Sequence, residues 1–325
     1  MGEPIRLTVE SAAEALCASQ EWTILCHQYP DGDTIGSALA LCRALQHTGR
    51  KARVLCADEF PEKYDYLLEN VTFDTVGDEA PVCAVDVADA ALLGEALAAY
   101  ADRVALCIDH HTSNTGYAAR LLLKDYAAAA MILFEVIEAL GVPLDRHMAE
   151  CLYTGISTDT GCFKYSNTDA LTHRMAAQLM DMGIRTDQIN RAMFDVKSRA
   201  RIELERLALA GMRFACDGRV ALMPITLAMI EASGALENDM EGLAPIPRQI
   251  EGVWVGVTLR EKADGDFKVS VRTGTHGNAA DICARLGGGG HAAAAGCTLA
   301  GPSEQAQRQM LEAIVQTVDG ICKEK

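Results

Sequence analysis

The sequence predicts an α/β protein: an N-terminal parallel sheet flanked by helices, joined by a helical linker to a smaller α+β C-terminal domain. Three observations carry this reading. Through the first half, short β-rich apolar runs alternate with helical ones, which is the alternation of a parallel sheet covered by helices. A charged segment of helical spacing follows, and after Asp217-Gly218 the pattern changes to closely spaced strands. Finally, 325 residues are too many for one comfortable core and call for two domains. The expected boundaries are residues 1–188 for the first domain, 189–215 for the linker and 216–325 for the second domain.

Taken in order, "TILCH", "KARVLCAD", "VCAVDV" and "RVALCIDHH" read as strands of the first domain, with "DTIGSALALCRALQHTG" and "MILFEVIEALG" as helices. From Leu171 to about Gly183 the spacing is helical again. "DVKSRARIELERLALAGM" reads as the connecting helix, its exposed face carrying charges of both signs. In the second domain "RVALMPIT", "GVWVGVTLRE" and "FKVSVRT" read as strands, and Asp264-Gly265 between the last two is a hairpin signal. The helix "AADICARL" then runs into "GGGGHAAAAG".

Composition narrows the function. A net charge of −16 argues against a basic track for long duplex nucleic acid, whose binding rests on phosphate neutralisation. It leaves room for a small phosphate-bearing substrate held by a few local cations. No apolar run reaches the ~18–20 residues of a membrane span, and "MGEPIRLTVESAAEALC" lacks the layout of a signal peptide. The 12 cysteines contain no C-x-x-C pair, which removes zinc-ribbon spacing. With a cytoplasmic location expected, they are read as reduced, mostly small core residues.

The stretch "HQYPDGDTIGS", His27 to Ser37, places a histidine and two aspartates where a strand hands over to a helix. That is where open α/β sheets put their ligands. The theme recurs: "CAVDV" sets Asp86 at the end of an apolar run, "LCIDHH" ends in Asp109, His110 and His111, and "GISTDTG" sets Asp159 after the apolar "CLYTGI". In a parallel sheet such ends share one edge. An Asp-Gly-Asp turn alone is an ordinary solvated loop, and a single Asp after a strand is often a helix cap. Four such coincidences on one edge instead point to a metal centre. His27, Asp31, Asp33, Asp86, His110 and Asp159 bring four carboxylates and two imidazoles, a charge that two divalent ions balance. Mixed carboxylate and imidazole donors suit Mn²⁺ or a related first-row ion better than calcium or structural zinc.

In the second domain the four glycines let the backbone approach a ligand closely and turn N–H groups toward an anion. Beside them His291 and the upstream Arg272 can add charge-assisted bonds, and Arg260 in "TLRE" is a weaker candidate on a neighbouring strand.

"HQYPDGD", the Asp of "VDV", "DHH" and "TDTG" resemble, in order, the motifs of the DHH phosphoesterases. "VSVRTGTHGNAADICARLGGGGHAAAAG" resembles their DHH-associated C-terminal domain. The short two-domain layout is similar to the branch of bifunctional nanoRNases that also dephosphorylate 3'-phosphoadenosine 5'-phosphate (pAp). The resemblance implies a dinuclear Mn²⁺ centre held by His27, Asp31, Asp33, Asp86, His110 and Asp159, with Asp86 bridging. It makes His111 the residue facing the scissile phosphate, and Asp109 reads as a partner that orients one of the ligands. It assigns the far end of the substrate to Arg272, Gly288, Gly289, His291 and, more weakly, Arg260. Hydrolysis of short oligoribonucleotides or nucleotide phosphates to mononucleotides is the expected activity, in a protein that need not be a monomer and leaves room for a homodimer. The competing readings are a phosphodiesterase for cyclic or linear dinucleotides (c-di-AMP, pApA, pGpG) and a nucleotide-binding regulator without chemistry.

Overall fold

The structure, a computed structural model, describes residues 3–69, 71–240 and 242–322. Contacts divide the chain into two units, Met1–Val196 and Lys197–Lys325.

The first unit opens with β1 (Ile5–Arg6), α1 (Val9–Cys17), β2 (Glu21–Leu25), α2 (Gly32–His47) and β3 (Lys51–Leu55). It continues through α3 (Asp65–Leu68), β4 (Val82–Val85), β5 (Val104–Asp109) and β6 (Arg120–Leu123). Four helices close it: α4 (Ala129–Ala139), α5 (Arg146–Asp159), α6 (Ala170–Asp181) and α7 (Thr186–Asn190). The six strands form one sheet in the order β1-β6-β5-β4-β2-β3, parallel at every pairing. Its strands are buried on both faces, as parallel sheets require. Trp22, Ile24, Cys83, Val85, Leu106 and Ile108 pack with α1, α2, α4 and α5 on one face. Leu25, Val82, Ala84, Val104 and Cys107 point the other way, onto Leu93 and Leu97. That second face is covered by 3₁₀ turns, Ala90–Leu93 and Glu95–Arg103, rather than by regular helices.

One expectation needs correction. Residues 151–159 are not the approach to a strand end: Asp159 is the last residue of α5. Asp145 caps the N-terminus of that helix, accepting from the Met148 N–H at 2.9 Å. α5 crosses α2 at close range because both are notched by glycine. A Cβ at Gly36 would lie 2.2 Å from the Cys151 carbonyl oxygen, and one at Gly155 2.7 Å from an Asp33 carboxylate oxygen. Buried helix and buried strand look alike in a short apolar run. The glycines of "CLYTGI" and "TIGS" carry the difference only once the partner helix is known.

The second unit begins with α8 (Arg199–Ala210), β7 (Arg213–Ala215), β8 (Val220–Ile225) and α9 (Leu227–Ser233). There follow β9 (Val255–Glu261), β10 (Phe267–Thr273), α10 (Ala279–Ala284), β11 (Gly289–Gly290), β12 (Ala294–Leu299) and α11 (Ser303–Thr317). The expected linker is thus not a free connector. Its helix α8 buries Leu204 and Ala208 against Met223 and Ile225 of β8, so it packs as part of this unit.

The sheet order is β11-β12-β10-β9-β8-β7, antiparallel except for β8 and β9. The Asp264-Gly265 signal is a hairpin turn, with Gly265 at φ +86°. On one face Val255, Val257, Leu259, Val269 and Val271 pack on α10 and α11. Two of the cysteines expected to be reduced are paired: Cys216 and Cys322, remote in sequence, are joined as a disulfide. Ten others are free thiols, seven of the eight in the first unit being buried or half-buried.

Candidate metal centre and anion groove

β2 is the point where the strand order of the first sheet reverses. It lies between β3, which follows it in sequence, and β4, reached by a longer crossover. The crevice at the carboxyl ends of β2 and β4 is therefore the topological switch point of an open sheet, and His27 and Asp86 lie on its two sides. Asp31 caps α2, accepting from the N–H groups of Asp33 and Thr34 at 3.0 and 3.1 Å. Asp33, in the first turn of α2, is fully buried. Its two oxygens receive the N–H groups of Ala129 and Ala130 at 2.6 and 2.9 Å, so the N-terminus of α4 stabilises its charge. Asp86 follows β4 with φ +59°, a conformation few non-glycine residues adopt and Asp or Asn tolerate best.

The possible ligand atoms converge in three overlapping groups, His27–Asp31–Asp86, Asp33–His110–Asp159 and Asp86–Asp109–His110–His111. Asp86 joins them. Its Oδ2 lies 3.6 Å from His27 Nε2, and its Oδ1 lies 3.4 Å from His110 Nε2. His27 Nε2 is 3.6 Å from Asp31, while His110 Nε2 is 3.3 Å from Asp159 and 3.9 Å from Asp33. Both imidazoles are aimed by their other nitrogen. His27 Nδ1 is 2.7 Å from the Gln28 carbonyl oxygen and His110 Nδ1 is 3.0 Å from that of Tyr126. With Nδ1–H donating, each Nε2 is left as the ligand atom.

The donor set fits divalent cations. Asp86 Oδ1 and His110 Nε2 are buried without any hydrogen-bond partner, a costly state unless another group binds them. Charge says the same. Burial, then the Asp86 charge, pushes the Asp33 carboxyl up to about 8. Burial, with the charges of Asp33, Asp86 and Asp31, pushes Asp159 up to about 9. Burial alone would lower the two imidazoles, but Asp31 and Asp86 hold His27 up at about 11. Asp86, Asp33 and Asp159 likewise hold His110 up at about 10. Four carboxylates this close need cations, and protons fill that need where no metal does.

Asp109 is different. Fully buried at the end of β5, it accepts from His110 N at 2.8 Å, His111 Nδ1 at 2.8 Å and Asn114 Nδ2 at 2.6 Å. Burial alone would raise its pKa, but these bonds hold it below the ordinary carboxylate value. Its oxygens are committed to orienting His111, whose ring is the more exposed of the pair. Asn114 was not singled out from sequence, and only its position three residues after "DHH" hinted at it.

In the second unit a groove of about 820 Å³ runs over the free face of β10 and β12. Arg272, Gly288 and Gly289 line it, as do Lys262, Lys268 and Ser270, none of the last three being expected from sequence. Gly288 has no room for a side chain, since a Cβ would lie 2.2 Å from the Gly296 carbonyl oxygen. Two expected residues are placed otherwise. His291 is exposed and serves through its backbone, exchanging hydrogen bonds with Ala294 to close the turn between β11 and β12. Arg260 is forked onto Glu237, so its charge is already matched.

A parallel sheet whose switch point gathers carboxylates and imidazoles able to hold metal, followed by a unit with a groove lined by Lys262, Lys268 and Arg272, is the layout of a two-domain hydrolase of phosphoesters. The family model of the DHH N-terminal domain matches residues 21–156 and that of the DHHA1 domain residues 224–324. The chain belongs to the DHH phosphoesterase family. It is 33% identical over 295 residues to the bifunctional oligoribonuclease and PAP phosphatase NrnA of Thermus thermophilus, covering 90% of this chain and 88% of that protein. To the protein of the same name from Bacillus subtilis it is 24% identical, covering 93% and 95%. Among solved structures, an exopolyphosphatase-related protein of Bacteroides fragilis superposes with a TM-score of 0.84 at 24% identity, covering 95% of each chain. No helix among the described residues is long and apolar enough to cross a membrane.

Proposed function

We propose that this chain is a metal-dependent phosphoesterase that hydrolyses short oligoribonucleotides and pAp to mononucleotides, with two divalent ions, Mn²⁺ first among them. The observation that carries the reading is Asp86, whose two oxygens face two separate ligand groups. His27, Asp31 and Asp86 would hold one ion, and Asp33, His110, Asp159 and Asp86 the other. The chemistry such ions supply when bound is Lewis-acid polarisation of a phosphoryl oxygen and a water of lowered pKa.

The chain's own residues supply the rest. Asp109 fixes the His111 ring through Nδ1 and raises its pKa, so that Nε2 can donate to an oxygen of the scissile phosphate. Arg272 and the backbone N–H groups of Gly288 and Gly289 hold the far end of the substrate. A grip on a few phosphates suits a chain of net charge −16, since short substrates need only local cations whereas long duplexes need a basic track. The free thiols suit a cytoplasmic enzyme. The names of the relatives support the substrate class.

The test is turnover of pAp, pApA, pGpG, c-di-AMP and an oligoribonucleotide length series, after dialysis against EDTA and again after adding back Mn²⁺ or Mg²⁺. Activity on pAp and short oligoribonucleotides, lost in EDTA and restored best by Mn²⁺, is expected. Full activity in excess EDTA overturns the metal reading, and turnover confined to cyclic dinucleotides overturns the substrate class.

A further inference from the structure

The anion groove has a neighbour with unspent charge. The 3₁₀ turn Ile246–Gln249 lies over the end of β9, and two glycines make space for its Arg248. A Cβ at Gly256 would sit 2.5 Å from the Arg248 backbone nitrogen, and one at Gly274 would sit 2.1 Å from Arg248 Nη2. The strand register pairs Gly256 with Arg272, and Gly274 is two residues beyond Arg272. Directly paired residues of an antiparallel sheet share a face, and Gly274 follows one residue after β10 ends. Arg248 therefore lies along the same face as the Arg272 side chain, toward the end where β10 finishes.

Several cations of this unit are matched: Arg260 by Glu237, Lys262 by Asp264, Arg206 by Glu203. Arg248 makes no ion pair among the described residues, and its Nε is buried without a hydrogen-bond partner. Arg272 has only the carbonyl of its neighbour Val271, at 3.0 Å. A half-buried guanidinium with an orphaned N–H is costly. Two unmatched guanidiniums on one sheet face are what a phosphate or carboxylate binds, through forked hydrogen bonds.

We propose that Arg248 is a substrate-binding residue, joining Arg272 in holding a phosphate of the substrate remote from the scissile one. The inference deepens the proposed function and rests on it. An Arg at this position is invisible to motif reading, because "PIPRQIEG" carries no signature and only the packing over Gly256 and Gly274 sets it beside Arg272.

The experiment measures kcat and KM of R248Q and R248K, with Arg272→Ala alongside, on pAp, on a trinucleotide and on bis-p-nitrophenyl phosphate, which has no remote phosphate. For R248Q the ratio of kcat/KM on pAp to that on bis-p-nitrophenyl phosphate should fall about ten-fold, the loss appearing in KM, as for one charge-assisted contact. R248K keeps the charge without the fork and should fall in between. Should R248Q not fold, R248K carries the same test. An unchanged ratio in a folded R248Q, with the ratio lowered by Arg272→Ala, overturns the inference and leaves the proposed function standing. Equal losses on all substrates make Arg248 a packing residue and overturn it too. A wild-type protein that hydrolyses neither pAp nor the trinucleotide overturns both.

Discussion

Asp86 is the side chain on which the proposed chemistry turns. It is 3% exposed, has a left-handed backbone and faces two imidazoles with two different oxygens. Strain of this kind, of order 1–3 kcal/mol, persists where function requires it. Asn tolerates the same backbone conformation and nearly the same shape, so Asp86→Asn is a cleaner probe than Ala. It should lower kcat by well over ten-fold, ~1.4 kcal/mol of barrier or more. Thermal stability should stay within about 1 kcal/mol, the range of most substitutions that open no cavity. Retention of more than a tenth of the wild-type rate would falsify the bridging role. The neighbouring Asp109, by contrast, is committed to His111 and Asn114 through its hydrogen bonds.

At the scale of elements, α5 does two jobs with its two ends. Its C-terminal end presents Asp159, where the negative pole of the helix disfavours a carboxylate. That cost suits a residue kept for a ligand, and it adds to the pressure that holds its carboxyl protonated. Its N-terminal end is held by Asp145, which accepts from Met148 N–H and pairs with Arg43 of α2. Removing the cap in Asp145→Ala should destabilise the first unit by about 1 kcal/mol, read as a lower thermal midpoint. Partial burial alone would raise the Asp145 carboxyl, but the Met148 N–H and Arg43 hold it below its ordinary value. A depressed carboxylate contributes stability above its unfolded pKa and loses it as pH falls through the folded one. The gap between wild type and Asp145→Ala should therefore be full near neutrality and close in acid, below the ordinary carboxylate range. A gap that widened on acidification would contradict this assignment.

At the scale of the whole molecule, the proposed chemistry and the proposed substrate grip belong to different units, the candidate metal cluster to Met1–Val196 and the groove to Lys197–Lys325. This division predicts separable kinetics. Arg272→Ala should lower kcat/KM on pAp and short oligoribonucleotides roughly ten- to a hundred-fold, the ~1.5–3 kcal/mol of a charge-assisted contact. The loss on bis-p-nitrophenyl phosphate should be much smaller. Comparable losses on both kinds of substrate would move Arg272 into structural support. No loss on either would reduce the glycine-rich segment to a plain turn.

The fold class and the convergence of the candidate ligands were legible in the sequence by itself. Strand-like and helical periods alternate visibly, and a parallel sheet must bring its strand ends to one edge, so "HQYPDGD", "VDV" and "DHH" had to meet. Tertiary structure decided the rest. Asp159 arrives on a helix rather than a strand because Gly36 and Gly155 let α5 and α2 touch, a fact about two surfaces that no local period encodes. Arg260 lost its expected place to Glu237, twenty-three residues away on another element. Cys216 and Cys322, 106 residues apart, are joined only in the folded second unit, and Arg248 comes beside Arg272 only by packing over Gly256 and Gly274. Local sequence specifies period, caps and turns, because those energies lie within a few residues. Which side chains find partners across elements is set by packing, and packing exists only in the folded chain.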